Sequence, residues 1–293
     1  MSDRIRDMAL FVRVAETGSF SRAGRELGYA QPSVSRMISA LEDRLGAKLL
    51  VRTTRQVVPT EAGAVLLMRA RQLLADVEDV ENAVRGVDGL SGSLRIATPV
   101  TFGARQIVPA LGPFFAAHPG LRVELLMADR RVDLLDEGVD VAIRLGELDD
   151  SGFVSRRIAS APRYIVASHD YLATRSAPDT IHDLADHAVI GTQQGGRETW
   201  VMRDAAGNAA TVKLSARLVV TSVEGVLSAA EAGFGLAAVS HFACRLPLER
   251  GTLVRILPDY ELSGVDVHAV SPLGRHMPAK VRHFIDHLIA TLR

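Results

Sequence analysis

The chain has 293 residues, long for a single small module, and its 47% hydrophobic content is ample for two or three packed cores. Its 34 Lys and Arg balance 34 Asp and Glu, so any charge preference must be local. No apolar run is long enough to span a bilayer, the opening MSDRIRDMAL has no signal-peptide core, and the single Cys244 excludes an internal disulfide, so a cytoplasmic location with no membrane partner is expected.

The first predicted element is a helix over residues 5–16, where Met8, Phe11, Val12 and Ala15 recur at helical spacing. Gly18 breaks it. Ser21 suits the N-cap of a second helix over 22–27, which Gly28 stops. Pro32 suits the first turn of a third helix, whose buried side reads Val34, Met37, Ile38, Leu41 and Leu45 and which ends at Gly46. Helix, tight turn and helix in this order make a helix-turn-helix, in which the second helix enters the major groove of duplex DNA. The outward positions at its start are Gln31, Pro32, Ser33, Ser35 and Arg36, a set of donors for base edges and phosphates. Arg52, Thr53 and Arg55 then project from a turn, as in a wing. Ten Arg and Lys against six Asp and Glu over residues 1–60 give this end of a neutral chain a local basic excess.

Residues 60–87 read as one long helix, capped by Thr60 and opened by Glu61. Leu66, Ala70, Leu73, Val77, Val80, Val84 and Val87 alternate by four and three, the spacing of a coiled-coil seam. Residues 86–92 (GVDGLSG) form a joint. Beyond it strands (94–97, 121–127, 139–143, 163–167, 188–190, 218–220, 236–239, 253–257 and 265–270) alternate with helices (106–117, 132–137, 223–232 and 279–292), a pattern of parallel α/β sheets.

In such sheets ligands sit beyond the C-terminal ends of strands, often at helix N-termini. This selects Thr98, Val100, Thr101 and Phe102 after the first strand, Arg144 and Gly146 after 139–143, Thr192 and Gln193 after 188–190, and Ser222 at the start of the 223–232 helix. Arg144 is equally suited to a ligand carboxylate or to an internal salt bridge, and the hydroxyls equally suit helix caps. No enzyme is indicated and no cofactor is expected. His283 and His287 are one turn apart but lack the glutamate of a metalloprotease helix, Ser222 and Ser240 lack a nucleophile elbow, and GTQQGG (191–196) has neither a phosphate-loop lysine nor a dinucleotide fingerprint.

The N-terminal segment resembles the winged helix-turn-helix of LysR-type transcriptional regulators. The resemblance rests on Phe11, Ala15-Glu16, Gly18-Ser19-Phe20-Ser21, Ala23, Leu27, Gln31, Val34-Ser35, Ile38, Leu41-Glu42, Leu45-Gly46, Leu49, Arg52, Arg55, Thr60 and Gly63. Departures are Gly24, Ala30, Leu50 and Pro59, of which Ala30 removes a hydroxyl from the residue before Gln31. GSLRIATP, LLDEGVDVAIRLG, EGVLSAAEAGFGLAAVS and LERGTLVRILPDY are similar to the family's effector domain, which has the two-lobed fold of periplasmic solute-binding proteins. The resemblance implies a DNA-binding domain over 4–61, a dimerising linker helix over 60–88 and an effector domain over 92–293. Its first lobe would be 92–162 with 268–293 and its second 163–267, with a small-molecule effector between them. It also implies a homodimer or homotetramer on an interrupted palindromic operator, with RNA polymerase as a further candidate partner.

Overall fold

The computed structural model describes residues 2–52, 57–84, 90–148, 153–192, 196–204, 206–272 and 277–292, with the side chains of all of these except 2, 3, 52, 72, 76, 78, 79 and 82–84. The first five elements are helices α1 (Ser2–Thr17), α2 (Phe20–Leu27) and α3 (Gln31–Leu45) and strands β1 (Leu50–Arg52) and β2 (Val57–Pro59). The helices enclose one core of Leu10, Phe11, Val14, Phe20, Ala23, Val34, Ile38 and Leu41, closed by Leu49 after α3. The wing strands pair antiparallel, Leu50 with Pro59 and Arg52 with Val57. Glu42 ties the wing to α3: its buried carboxylate accepts the backbone N–H of Leu49 (2.9 Å) and Leu50 (3.3 Å) and the ammonium of Lys48 (2.6 Å).

Two expectations change here. The N-cap of α2 is Ser19, whose side chain accepts from the Arg22 N–H, and Ser21 lies inside the first turn. A capping hydroxyl bonds the amide two or three residues on, and Gly18 leaves the chain extended at Ser19, so the earlier serine takes the role. Leu45 is exposed, because Gly46 ends the helix before the core extends that far.

Helix α4 (Glu61–Val84) is capped by Thr60, whose hydroxyl accepts from Gly63 N–H (3.0 Å) and donates to Lys48 C=O (2.6 Å). Gly63 is required there, since a Cβ would lie 2.0 Å from the Leu49 carbonyl oxygen. The expected seam divides. Leu66 and Ala70 pack on the DNA-binding module's own core, while Leu73 and Val80 are exposed and Val77 is half-buried. The Val84 side chain and Val87 lie outside the described residues, as does most of the 86–92 joint.

The remainder is built on one mixed sheet. Its elements are β3 (Ser91–Thr98), α5 (Val100–Phe102), a π turn (Gly103–Ile107), α6 (Val108–Ala117), β4 (Gly120–Met127), β5 (Val141–Leu145), β6 (Val154–Ala167), α7 (His169–Thr174), a 3-10 turn (Asp183–Asp186), β7 (Val189–Gly191), β8 (Arg197–Arg203), β9 (Ala209–Val219), α8 (Val223–Glu231), β10 (Leu236–Ser240), α9 (His241–Glu249), β11 (Val254–Ile256), β12 (Glu261–Ser271) and α10 (Ala279–Thr291). The strand order is β11-β6-β10-β7-β9-β8-β12-β5-β3-β4. β3 is parallel to β4 and β5, and β7 to β9 and β10, as the α/β alternation requires. The other pairings are antiparallel. β6 and β12 pair along most of their length, with irregularities between Leu262 and Val265 and between Val267 and His268. Each runs through both lobes and through the borders expected at 162/163 and 267/268. The lobes are therefore joined by two continuous antiparallel strands.

No helix forms over the expected 132–137; residues 134–138 make a hydrogen-bonded turn in which Val139 N–H reaches Leu134 C=O (2.8 Å). Strand β5 begins two residues later than expected, and β9 begins nine residues before the predicted 218. The first lobe's core includes Leu94, Ile96, Phe114, Val141, Ile143, Val267 and Phe284. The second has one core around Trp200, Met202 and Leu236 and another around Val226, Leu227 and Cys244.

Candidate functional site

The N-terminal face of α3 is open. Ala30 supplies no side-chain cap, so the helix begins on backbone bonds from Ser33 and Val34 N–H to the Ala30 carbonyl, with Pro32 in the first turn. Gln31, Pro32 and Arg36 are exposed; Ser33 and Ser35 are half-buried. Arg36 reaches Ser33 Oγ only at 3.4 Å, which leaves its guanidinium available to another acceptor. Ser21 is half-buried on α2, whose exposed face adds Arg22 and Arg25, two cations the motif reading passed over. Arg52 ends β1, but its side chain, Thr53 and Arg55 lie outside the described residues.

At the other end of the molecule, β3 runs into α5 at Thr98-Pro99. Thr98 is buried and lines a cavity of about 180 Å³ together with Arg144, Asp129, Arg130 and Arg131. Arg144 lies on β5 opposite His268, not beyond the strand as expected. It is half-buried and makes no side-chain hydrogen bond or ion pair among the described residues. Burial, and then the charge of Arg131, draws its pKa below the usual arginine value. A desolvated guanidinium that no anion compensates is suited to a ligand carboxylate or phosphate.

Other expected ligand contacts have different work. Phe102 is core, packed edge-on against Phe242 with centroids 5.4 Å apart. Val100 N–H is taken by Asp129 Oδ1 (3.0 Å), and Gly146 N–H by Asp266 C=O (2.8 Å). Thr192 N–H donates to Glu198 (2.9 Å), and Gln193 is outside the described residues. Ser222 caps α8 by accepting Gly225 N–H at 3.1 Å. Thr101 differs. Its hydroxyl is buried without a hydrogen-bond partner on α5, which packs against α8 and α9 of the other lobe.

The lobes are also clamped at a place the sequence reading missed. Arg105 in the π turn binds both carboxylate oxygens of Glu224 (3.0 Å each) and the Ala243 carbonyl (2.9 Å), while Gln106 donates to the Phe242 carbonyl (3.0 Å). An Arg-Gln pair opening an otherwise apolar helix was the available signal. His287 is half-buried with Nε2 2.7 Å from the Ala110 carbonyl. Burial pushes the Cys244 thiol up to about 11, so it stays protonated.

Residues 5–64 match the family model of the bacterial regulatory helix-turn-helix protein, lysR family, and residues 88–293 match the LysR substrate binding domain. The chain belongs to the LysR-type transcriptional regulators. Among curated relatives it is 34% identical to an uncharacterised HTH-type transcriptional regulator of Haemophilus influenzae, over 95% of this chain and 97% of that one. It is 32% identical to the HTH-type transcriptional regulator CrgA of Neisseria meningitidis serogroup C, over 100% and 98%. The solved structure of CrgA, a LysR-type regulator, matches with a TM-score of 0.61 and 31% identity over 98% of both chains. This LysR-type chain is therefore a DNA-binding regulator with a small-molecule effector domain, of a family that forms oligomers. None of its described helices is long and apolar enough to cross a membrane.

Proposed function

We propose that this regulator is controlled by a small anionic metabolite that binds between the lobes and seats its charge in the cavity of Arg144 and Thr98, with Thr101 at the lobe junction. The observation that carries the reading is Arg144, half-buried beside a second guanidinium and without an anion of its own. The expected lobes, 92–162 with 268–293 and 163–267, would then turn about β6 and β12. A ligand that prefers one lobe arrangement shifts the equilibrium toward it, and the 86–92 joint transmits the change to the linker helices. At the other end, Gln31, Ser33, Ser35 and Arg36 read bases while Ser21, Arg52, Thr53 and Arg55 bind phosphates. Exposed Leu73 and Val80 on α4 support a dimer that presents two α3 helices to an interrupted palindrome. The protein acts in the cytoplasm, without enzymatic activity, and meets RNA polymerase at its promoter.

A thermal-shift panel of small mono- and dicarboxylates tests the site. A ligand that stabilises the wild-type protein should not stabilise Arg144→Ala, and should stabilise Thr98→Val less. Equal stabilisation of all three would place the ligand elsewhere.

A further inference from the structure

A second cleft, of about 460 Å³, lies where α1 and α4 meet the first lobe. It is more than twice the volume of the Thr98–Arg144 cavity, and the two share no lining residue. Its walls carry five cations and three acids. The cations on the DNA-binding side are committed. Arg13 pairs with Glu16 and Glu26, and Arg71 binds Glu16 through Nε (3.1 Å) and a terminal nitrogen (2.9 Å).

The cations on the lobe side are not. Arg95 on β3 and Arg122 on β4 share one acid, Glu124, at 3.6 and 3.9 Å, both longer than a hydrogen bond. The Nε of Arg95 is buried with no hydrogen-bond partner, although buried donors are almost always satisfied. Lys280 on α10 spends its ammonium on the Ser93 carbonyl (2.5 Å), a neutral acceptor. The remaining acid, Asp140, accepts the Arg95 backbone N–H (2.8 Å); burial raises its pKa against the nearby charges of Lys280, Arg71 and Arg95.

We propose that this cleft is a second ligand site, which takes a small multiply charged anion bearing phosphate or several carboxylates, held by Arg95, Arg122 and Lys280. An anion there would offset the excess of three cations over two acids on the lobe side with charge-assisted bonds. The seat also explains how such an anion would act. Arg71 on α4 spans the cleft: it grips Glu16 of α1, and its guanidinium sits over Gly138 of the first lobe, where a Cβ would lie 1.7 Å from it. An anion bound between these walls favours the arrangement in which the DNA-binding module is docked on the lobe. This control is independent of the Arg144 cavity.

Calorimetric titration of the full-length protein with inorganic phosphate and with citrate, at ionic strength fixed with sodium chloride, tests the site. Saturable binding of one probe is expected, weakened at least tenfold in Arg95→Gln and in the rim variant Lys280→Gln, and unchanged in Arg144→Ala. Lys280→Gln guards against misfolding of the Arg95 variant. Unchanged affinity in Lys280→Gln together with folded Arg95→Gln, loss in Arg144→Ala instead, or no saturable heat from either probe would overturn the proposal.

Discussion

The DNA-binding module and the effector domain are stabilised over different distances in sequence. In the module the caps and the wing tie are made within a few residues: Ser19 caps α2 through Arg22, Thr60 caps α4 through Gly63, and Glu42 collects Leu49 and Leu50. In the effector domain the decisive contacts join distant segments: Leu262 pairs with Arg163, His268 with Arg144, and Arg105 reaches Glu224. The short-range module presents a fixed reading surface. The long-range domain hangs two lobes on two shared strands, which lets a ligand choose between their arrangements.

The largest effect should come from Val80→Asp. Val80 is 64% exposed in the single chain, and a carboxylate forced into an apolar helix seam costs on the order of 3–5 kcal/mol. Light scattering should show a smaller assembly than the wild type's, while circular dichroism stays unchanged. Unaltered assembly would move the proposed subunit contact off this face of α4.

Glu42→Ala should follow, at about 2 kcal/mol lost from the module, because two backbone N–H groups lose an ionised acceptor. Desolvation raises the Glu42 pKa, but the bonds from Lys48, Leu49 and Leu50 outweigh it and hold the carboxyl below its ordinary 4.5. Stability from this group is thus present above that value and lost as pH falls through the folded one. Glu42→Gln should flatten the acid limb of the module's melting profile; an unchanged limb would assign it to other carboxylates.

Arg105→Ala should cost about 1 kcal/mol, since Glu224 is half-exposed and screened. Its clearer signature is a wider lobe separation in small-angle scattering without ligand. A profile identical to wild type would show that β6 and β12 alone set the arrangement. Smallest is Arg52→Ala, which should weaken binding to all sequences alike and lower the salt slope by about one. A change of base preference would instead put Arg52 in a groove.

The same contrast governs what the sequence discloses. Helices α1 to α4 are visible because period, caps and stops are local. Even there, two nearby serines left the cap of α2 two residues out, and the seam on α4 concealed that Leu66 and Ala70 serve their own module. In the effector domain the run Val139–Asp140–Val141–Ala142–Ile143–Arg144–Leu145 is apolar at alternate positions throughout, so only pairing with β12 fixes where the strand stops and puts Arg144 on it. The hairpin of β8 and β9 hid because the buried face of β8 opens with Glu198, a charge that reads as solvent-facing until its bond to Thr192 is seen. The Arg105-Gln106 pair marks one half of the lobe clamp, but neither its partner Glu224 nor the Asp129–Val100 bond has a sequence signature, since each contact spans more than twenty-five residues.

The central claim is that reading and response sit on separate surfaces, and one paired measurement tests it. Gln31→Ala and Arg144→Ala would be titrated against a randomised operator library, each with and without the carboxylate that stabilises the wild type. Gln31→Ala should lose about 1–3 kcal/mol of discrimination at one base of each half-site and keep its response to the ligand. Arg144→Ala should keep wild-type base preference and affinity and lose the response. The account would be contradicted by full base preference in the first variant, or by a normal ligand response in the second.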